Sequence, residues 1–229
     1  MRPVIIVMVK APLPGLAKTR LCPPLAQSEA ASLALCFVQD VVQSALGVTQ
    51  NVIVAFTPLE GRAMLQASLP ANLHWVQQQG IDLGDRLSST IAYAERLGFN
   101  PIIVLGADSP TLPQTLIQSA FQLLTTGTAD ITLGPTADGG YYLVGVRKSE
   151  PKIFQNVTWS SPTTLEQTVQ NIDRLGLHLV TLEGWYDVDT SEDLRSLINE
   201  LHENESARLL APSTYNWLLT HNVSSLEND

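Results

Sequence analysis

Short runs of apolar, β-prone residues alternate with amphipathic segments along most of the chain. Such runs predict strands, several of them covered on both faces; they span 4–9, 51–56, 74–78, 102–105, 131–133, 142–146 and 178–183. Alternation of strands with helices predicts right-handed βαβ units and a mostly parallel sheet. The run Tyr142–Val146 follows an Asp-Gly-Gly turn, which favours a hairpin and therefore an antiparallel strand.

Apolar residues at helical spacing predict a helix after most of these strands. Ser28 is the expected cap of the first helix and Gly47 its stop, while Pro113 suits the first turn of a later one. The predicted helices span 28–46, 62–69, a segment burying 87, 91 and 94, 114–124, 162–175 and 190–201. We expect one domain over 1–205 and a partly frayed C-terminal extension over 206–229, with a short amphipathic segment at 215–219.

Composition narrows the possible partners. The 229-residue chain is 45% apolar and 15% charged, which suits a globular protein, and its formal charge of −9 argues against a nucleic-acid partner. A small phosphorylated ligand remains compatible, because a few basic residues can reverse the field locally. Two cysteines are too few for a disulfide framework. With no signal peptide and no apolar run of membrane-spanning length, we expect a cytoplasmic protein; the oligomeric state stays open.

Basic residues concentrate in the loop after the first strand. Lys10, Lys18 and Arg20 lie at a strand's C-terminal end, and Gly15 would let the backbone approach a ligand. Lysine and arginine donors suit phosphate oxygens. The loop lacks Walker A spacing, and the chain contains no G-x-G-x-x-G fingerprint. The alternative is a solvated basic loop.

Acidic residues follow two distant strands. Asp108 lies just past the run 102–105, where open α/β sheets bind ligands, and it could hold Mg²⁺ or Mn²⁺. Asp187 and Asp189 share one side of an extended segment, so either could complete a cation site. Alternatively, Asp108 is a turn or cap residue, and the other two only stabilise a helix N-terminus.

Two glycine-containing turns are further candidates. In Gln79–Arg86, backbone amides beside Gly80 and Gly84 could read a base edge with Gln79, while Arg86 could reach a phosphate or pair with a neighbouring aspartate. In the turn from 134 to 145, glycines could clear space for a substrate. The residues expected there are Asp138, Gly139, Gly140 and Tyr141. A hairpin turn alone would also explain the second pair of glycines.

Five motifs, in this order, give the chain a resemblance over roughly residues 4–200. They are K-A-P-L-P-G-L-A-K-T-R-L, Q-G-I-D-L-G-D-R, G-A-D-S-P-T-L-P, D-G-G-Y-Y-L-V-G and W-Y-D-V-D-T-S-E-D-L. The chain resembles the nucleotide-diphospho-sugar transferase superfamily of GT-A fold and, more narrowly, the glycosyltransferase-like family DUF2064. Its first loop is similar to that of the phospholactate guanylyltransferases. The resemblance implies a three-layer α/β/α sandwich around a mostly parallel, mixed sheet.

The resemblance also implies roles for particular residues. Phosphates would be held by Gly15, Lys18 and Arg20, and the base would lie near Gln79 and Gly84. Lys10, Thr19 and Arg86 would be further contacts to the nucleotide. Asp108 takes the place of the superfamily's metal aspartate, with Asp189 as the second ligand of Mg²⁺ or Mn²⁺. Pro110 stands where the superfamily's D-x-D motif has its second aspartate, and Ser191 replaces a usual proline.

The implied activity is transfer from a nucleotide-activated donor. Our first hypothesis is glycosyl transfer from a nucleotide sugar to a small-molecule acceptor, with Asp108 and Lys18 in the catalytic machinery and Asp138 as the base. The second is nucleotidyl transfer, in which a nucleoside triphosphate and a phosphorylated small molecule release pyrophosphate. The third is a nucleotide-binding protein without turnover, and fold alone cannot choose among the three.

Overall fold

The computed structural model describes residues 1–221 and contains a seven-stranded sheet. The strands are β1 Val4–Lys10, β2 Val52–Thr57, β3 His74–Gln77, β4 Ile102–Gly106, β5 Ile131–Pro135, β6 Tyr141–Val146 and β7 Leu179–Thr181. Their order in the sheet is β3-β2-β1-β4-β6-β5-β7. Only β6 is antiparallel to its neighbours, so the predicted mixed, mostly parallel sheet and its reversed strand are confirmed.

Eight helices accompany the sheet in the described part of the chain. They are α1 Gln27–Val48, α2 Arg62–Ser68, α3 Leu83–Arg96, α4 Gln114–Thr126, α5 Thr164–Arg174, α6 Ser191–Glu203, α7 Glu205–Leu210 and α8 Pro212–Thr220. The first, second and fourth helices cover one face of the sheet, and the third and fifth cover the other. This is the predicted α/β/α sandwich.

Alternation along β1 shows how the layers are held. Ile5, Val7 and Val9 face the cluster beneath α1 and α4, whereas Val4 and Ile6 face the cluster beneath α3 and α5. All five side chains are fully buried. A central parallel strand must be apolar on both faces, which is why the run at 4–9 has no polar alternation.

Helix boundaries differ from the prediction where local signals mislead. The N-cap of α1 is Ala26, whose N–H donates to Glu29 at 2.7 Å, so Ser28 lies inside the helix. Gly47 also lies inside rather than ending the helix; a Cβ there would come within 2.5 Å of the Gln114 amide, which donates to the Ser44 carbonyl, so glycine leaves room for that side chain. Pro113 is the N-cap of α4 and has an extended ψ of 128°.

The last three helices pack on the outer side of α1. Val188, Leu194 and Trp217 share a third apolar cluster with Leu33 and Phe37 of α1. The predicted segment at 215–219 lies within α8. The division into a domain and an extension remains a prediction, and residues 222–229, predicted to be frayed, lie outside the described residues.

Within residues 1–221, α1 alone is long and apolar enough to cross a membrane by length and composition. This corrects the expectation that no segment reaches such a length. Of its most apolar 18-residue window, 56% is buried inside the protein, as expected of a helix in a protein core.

Candidate functional site

The loop after β1 turns a lysine inward. Lys18 has a left-handed backbone, with φ of 49° and ψ of 38°, and it precedes a 3₁₀ turn at Thr19–Leu21. Leu21 is fully buried and anchors this turn. The Lys18 side chain is only 7% exposed. Non-glycine residues adopt this conformation infrequently, and such backbone strain is concentrated at functional sites.

The Lys18 ammonium joins the two predicted metal aspartates. Its Nζ lies 2.5 Å from Oδ1 of Asp108 and 2.7 Å from Oδ1 of Asp189, whose side chains are 48% and 47% exposed. Burial lowers the pKa of Lys18, but the charges of Asp108 and Asp189 more than offset this, and the net shift is upward. Lys18 is therefore a cation at neutral pH, fixed between two half-exposed carboxylates.

Hydrogen bonds between distant segments explain why these aspartates meet. The Val188 N–H donates to the Asp108 carbonyl at 2.9 Å, and the Ser109 hydroxyl donates to Asp187 Oδ1 at 2.5 Å. The segment after β7 thus crosses the carboxyl edge of the sheet to the end of β4. Burial raises the pKa of Asp187 to about 6; the Ser109 bond opposes that shift and the charge of Asp108 adds to it.

A cavity of about 400 Å³ opens beside this ion cluster. Six of the predicted residues line it together: Lys10, Lys18, Thr19, Arg20, Asp108 and Asp189. Ser160 also lines it and was missed, because its inward position depends on a left-handed φ of 55° in the loop before α5 and has no sequence signal. With three cations against two carboxylates, the cavity suits an anionic ligand such as a phosphate.

A second cavity, of about 330 Å³, shares Arg20 and Asp189 with the first. Asp138 lines it from the turn between β5 and β6, where its Oδ1 accepts from the Thr136 hydroxyl at 2.5 Å and from the Gly140 N–H at 3.1 Å. The remaining polar side chains there were not singled out together by the sequence; they are Tyr186, Asp187, Thr190 and Asp193.

Residues predicted to read a base lie outside both cavities. Gln79 lines a separate cavity of about 380 Å³ beside α3. Gly84 is buried, and a Cβ there would come within 2.8 Å of both the Phe154 carbonyl and the Trp159 ring, so its small size serves packing. The Arg86 Nε donates to the Gly80 carbonyl at 3.4 Å. Their assigned roles in binding stay predictions.

Packing and backbone conformation explain the positions of Gly139, Gly140 and Tyr141 without a role in binding. Gly139 has a φ of +88°, and a Cβ there would come within 2.1 Å of the Pro162 carbonyl oxygen. A Cβ at Gly140 would lie 3.0 Å from the Thr136 hydroxyl oxygen, which is a tight contact. Tyr141 lines a separate apolar cavity of about 90 Å³, and burial raises its pKa. None of these three residues lines the 400 Å³ or the 330 Å³ cavity.

Gly15 lies in the basic loop but does not line the 400 Å³ cavity. Its φ is +75°, and a Cβ there would lie 3.0 Å from the Gln27 side chain. The glycine therefore serves the turn and its contact with α1. A direct contact with phosphate stays a prediction.

The oxygen ligands present fit a hard divalent cation. Mg²⁺ is commonly bound by one or two carboxylates together with substrate phosphates. Asp108 and Asp189 supply two half-exposed carboxylates that already share one positive group, the Lys18 ammonium. Within residues 1–221, no group of three or more histidine, cysteine or acidic side chains is arranged to hold a metal. A site here would thus need ligands from a bound substrate.

The sequence profile of DUF2064, described as "uncharacterized protein conserved in bacteria", matches residues 40–161. The chain belongs to the DUF2064 family. No curated protein is significantly similar to this DUF2064 chain in sequence. Among solved structures, a protein from Desulfovibrio desulfuricans G20, described as a candidate nucleotide-diphospho-sugar transferase, is 32% identical over 99% of this chain and 97% of its own, with a TM-score of 0.88.

More distant structures share the fold of this DUF2064 protein. A cytidylyltransferase from Leptospira borgpetersenii is 15% identical over 100% of this chain and 98% of its own, with a TM-score of 0.59. The CMP:2-keto-3-deoxy-manno-octonic acid synthetase in complex with CTP is 17% identical over 87% and 99%, with a TM-score of 0.57. The chain is thus similar to nucleotide-using transferases.

Proposed function

We propose that this protein is a metal-dependent glycosyltransferase acting on a nucleotide-diphospho-sugar. The observation that carries the proposal is the Lys18 ammonium held between Asp108 and Asp189 at the edge of a cavity that also contains Lys10 and Arg20. A second polar cavity opens on the other side of Arg20 and Asp189. Donor and acceptor can therefore meet at the residues that the two cavities share.

Basic side chains bind the donor's diphosphate in the 400 Å³ cavity. Lys10, Lys18 and Arg20 supply the charge, and the Thr19 hydroxyl supplies a further donor. Negative charge grows on the diphosphate as its bond to the anomeric carbon breaks. Cations already in position stabilise that charge without reorganisation during the reaction.

Asp108 and Asp189 would hold the Mg²⁺ or Mn²⁺ ion. A bound divalent cation would add Lewis-acid stabilisation of the leaving diphosphate. Lys18 would then exchange its contacts with the carboxylates for contacts with phosphate oxygens.

Asp138 accepts the proton of the acceptor hydroxyl as the new glycosidic bond forms. Its Oδ1 is oriented by Thr136 and Gly140, and its carboxylate lines the second cavity. A carboxylate fixed at the acceptor's side of the reaction centre has the placement that a general base requires. The structure thus supports the role that the sequence suggested.

Calorimetric titration with UDP-glucose, GDP-mannose and CMP-linked sugars, each with and without Mn²⁺, tests the proposal. We expect one donor to bind in a Mn²⁺-dependent manner, and Asp108→Asn to weaken that binding by about tenfold or more, because it removes one charged ligand. Asp173→Asn, at an exposed position on α5, changes the net charge equally and serves as the control. Undiminished binding by Asp108→Asn would exclude Asp108 from the donor site.

Product analysis separates glycosyl from nucleotidyl transfer. Glycosyl transfer releases a nucleotide from the donor sugar, whereas nucleotidyl transfer releases pyrophosphate from a nucleoside triphosphate. Pyrophosphate release with nucleoside triphosphates and sugar phosphates, but no turnover of nucleotide sugars, would assign the second activity instead. Binding of a nucleotide without any product would indicate a non-catalytic protein.

A further inference from the structure

The two cavities that meet at Arg20 and Asp189 differ in charge. The 400 Å³ cavity has more cations than carboxylates, owing to Lys10, Lys18 and Arg20. In the 330 Å³ cavity, Arg20 is the only cation among the lining residues of the described chain, and it faces Asp138, Asp187, Asp189 and Asp193. The excess of negative charge remains if Asp189 is counted as neutralised by Lys18.

Hydrogen bonds within the protein fix these carboxylates in place. Asp193 Oδ2 accepts from the N–H groups of Asp189 and Thr190 at 3.0 and 2.7 Å, and from the Thr190 hydroxyl at 2.8 Å. Asp138 is held in the same way by Thr136 and the backbone. Since the acids cannot turn away without losing these bonds, an anion entering the cavity meets three fixed carboxylates against one lining cation, Arg20, whether Asp189 contacts Lys18 or a divalent cation.

Hydroxyl-bearing ligands suit the same walls. Carboxylates accept hydrogen bonds from hydroxyl groups, and the hydroxyls of Thr136, Tyr186 and Thr190 can donate or accept. We propose that the 330 Å³ cavity binds the acceptor and selects a polyhydroxylated molecule without an anionic group, excluding phosphorylated acceptors. This inference rests on the proposed function, since it names the acceptor class of that same site.

The assignment bears directly on the type of reaction. Nucleotidyl transfer to a phosphorylated molecule needs the phosphate of that molecule at the reaction centre, next to the donor's phosphates. The acidic cavity disfavours that arrangement and favours attack by a neutral hydroxyl. In glycosyl transfer, the acceptor oxygen forms the bond to the anomeric carbon, the bond to the diphosphate breaks, and the hydroxyl proton passes to Asp138.

Saturation-transfer NMR with matched acceptor pairs tests the proposal. The probes are glucose against glucose 1-phosphate and glycerol against glycerol 3-phosphate, added to the full chain after a nucleotide titration has established an occupied donor site. We expect the neutral member of at least one pair to bind at least about tenfold more tightly than its phosphorylated counterpart, the size expected of fixed local charge. Equal or tighter binding of the phosphorylated members in both pairs would overturn the proposal.

A charge variant and a salt titration identify the cause. Asp138→Asn keeps the oxygen that accepts from Thr136 and Gly140 but removes the negative charge. We expect it to reduce the ratio of the affinities for the neutral and the phosphorylated ligand, whereas the matched control Asp173→Asn should leave that ratio unchanged. For the wild-type protein, the preference for the neutral ligand should also weaken between 0.05 and 0.5 M salt, because the Debye length shortens as the ionic strength rises. Discrimination that is insensitive to salt and to Asp138→Asn would overturn the electrostatic assignment. Failure of every nucleotide to bind would instead refute the proposed function.

Discussion

Replacing Lys18 by methionine should change the affinities for metal and for diphosphate in opposite directions. The Lys18 ammonium contacts the same carboxylate oxygens that a divalent cation would bind, so the two positive groups compete. Methionine keeps much of the length of the side chain and tolerates the apolar surroundings, which include the Phe37 ring 5.8 Å from Nζ. Lys18→Met therefore removes the competitor with little change in packing.

The expected change in Mn²⁺ affinity depends on how exposed the Asp108 and Asp189 side chains are. Although Lys18 is only 7% exposed, Asp108 and Asp189 are 48% and 47% exposed, so water screens both ion pairs. Pairs of this kind contribute about 0.2–1 kcal/mol each. Losing both should raise the Mn²⁺ affinity by about 2- to 30-fold, corresponding to about 0.4–2 kcal/mol. Inorganic pyrophosphate loses a charge-assisted donor and should bind about 10- to 100-fold more weakly.

Electron paramagnetic resonance of free Mn²⁺ measures the metal affinity, and calorimetry with pyrophosphate in metal-free buffer measures the pyrophosphate affinity. Lys148→Met is the control, because Lys148 is exposed just after β6, at the opposite edge of the sheet. A Lys18→Met protein that binds Mn²⁺ no more tightly than wild type would refute the competition. Unchanged pyrophosphate affinity would remove Lys18 from the phosphate site.

Three further predictions concern stability. Asp40 is fully buried on α1 and caps α8, because its carboxylate accepts hydrogen bonds from two backbone N–H groups and one hydroxyl. Asp40→Ala should therefore lower the free energy of unfolding by about 2 kcal/mol, measured by urea denaturation with far-UV circular dichroism. Burial raises the pKa of Asp40 despite these hydrogen bonds, so the folded protein binds the Asp40 proton more tightly than the unfolded chain. The stabilisation that comes from this proton should be present at low pH and be lost as the pH rises through the raised pKa. Asp40→Asn should remove this pH dependence of the free energy of unfolding, measured by denaturation at a series of pH values. Gly139→Ala should lower the melting temperature more than Gly98→Ala, because both glycines have positive φ but only at the first would the new Cβ collide with the backbone of Pro162.

Much of the fold could be predicted because its signals are local. An apolar run such as Ile102–Leu105 indicates a buried strand without reference to the rest of the chain, and Thr190 with Asp193 indicates a helix start that the structure contains. Gly47 shows the limit of such signals. It suggested a helix stop, but it lies inside α1, where it leaves room for the side chain of Gln114, more than sixty residues away.

The candidate site was predictable only in part, for the same reason. The positions of Asp108 and Asp189 after strands indicated that they would lie at one edge of the sheet. The ammonium of Lys18 between them could not be predicted, because it depends on a left-handed residue in an irregular loop. Ser160 reaches the cavity in a similar way, through tertiary packing of a loop without regular periodicity.

The reversed direction of β6 has a consequence for how specificity can diverge among such proteins. Because this strand begins at the carboxyl edge of its parallel neighbours, the turn at 136–140 lines the 330 Å³ cavity, whereas Lys10 and Lys18 line the 400 Å³ cavity from the end of β1 and the loop that follows it. Under the proposed assignment of the two cavities, insertions or exchanges in that turn would alter the acceptor without disturbing donor recognition. A single antiparallel strand would thus let the proposed acceptor site diverge independently of the proposed donor site.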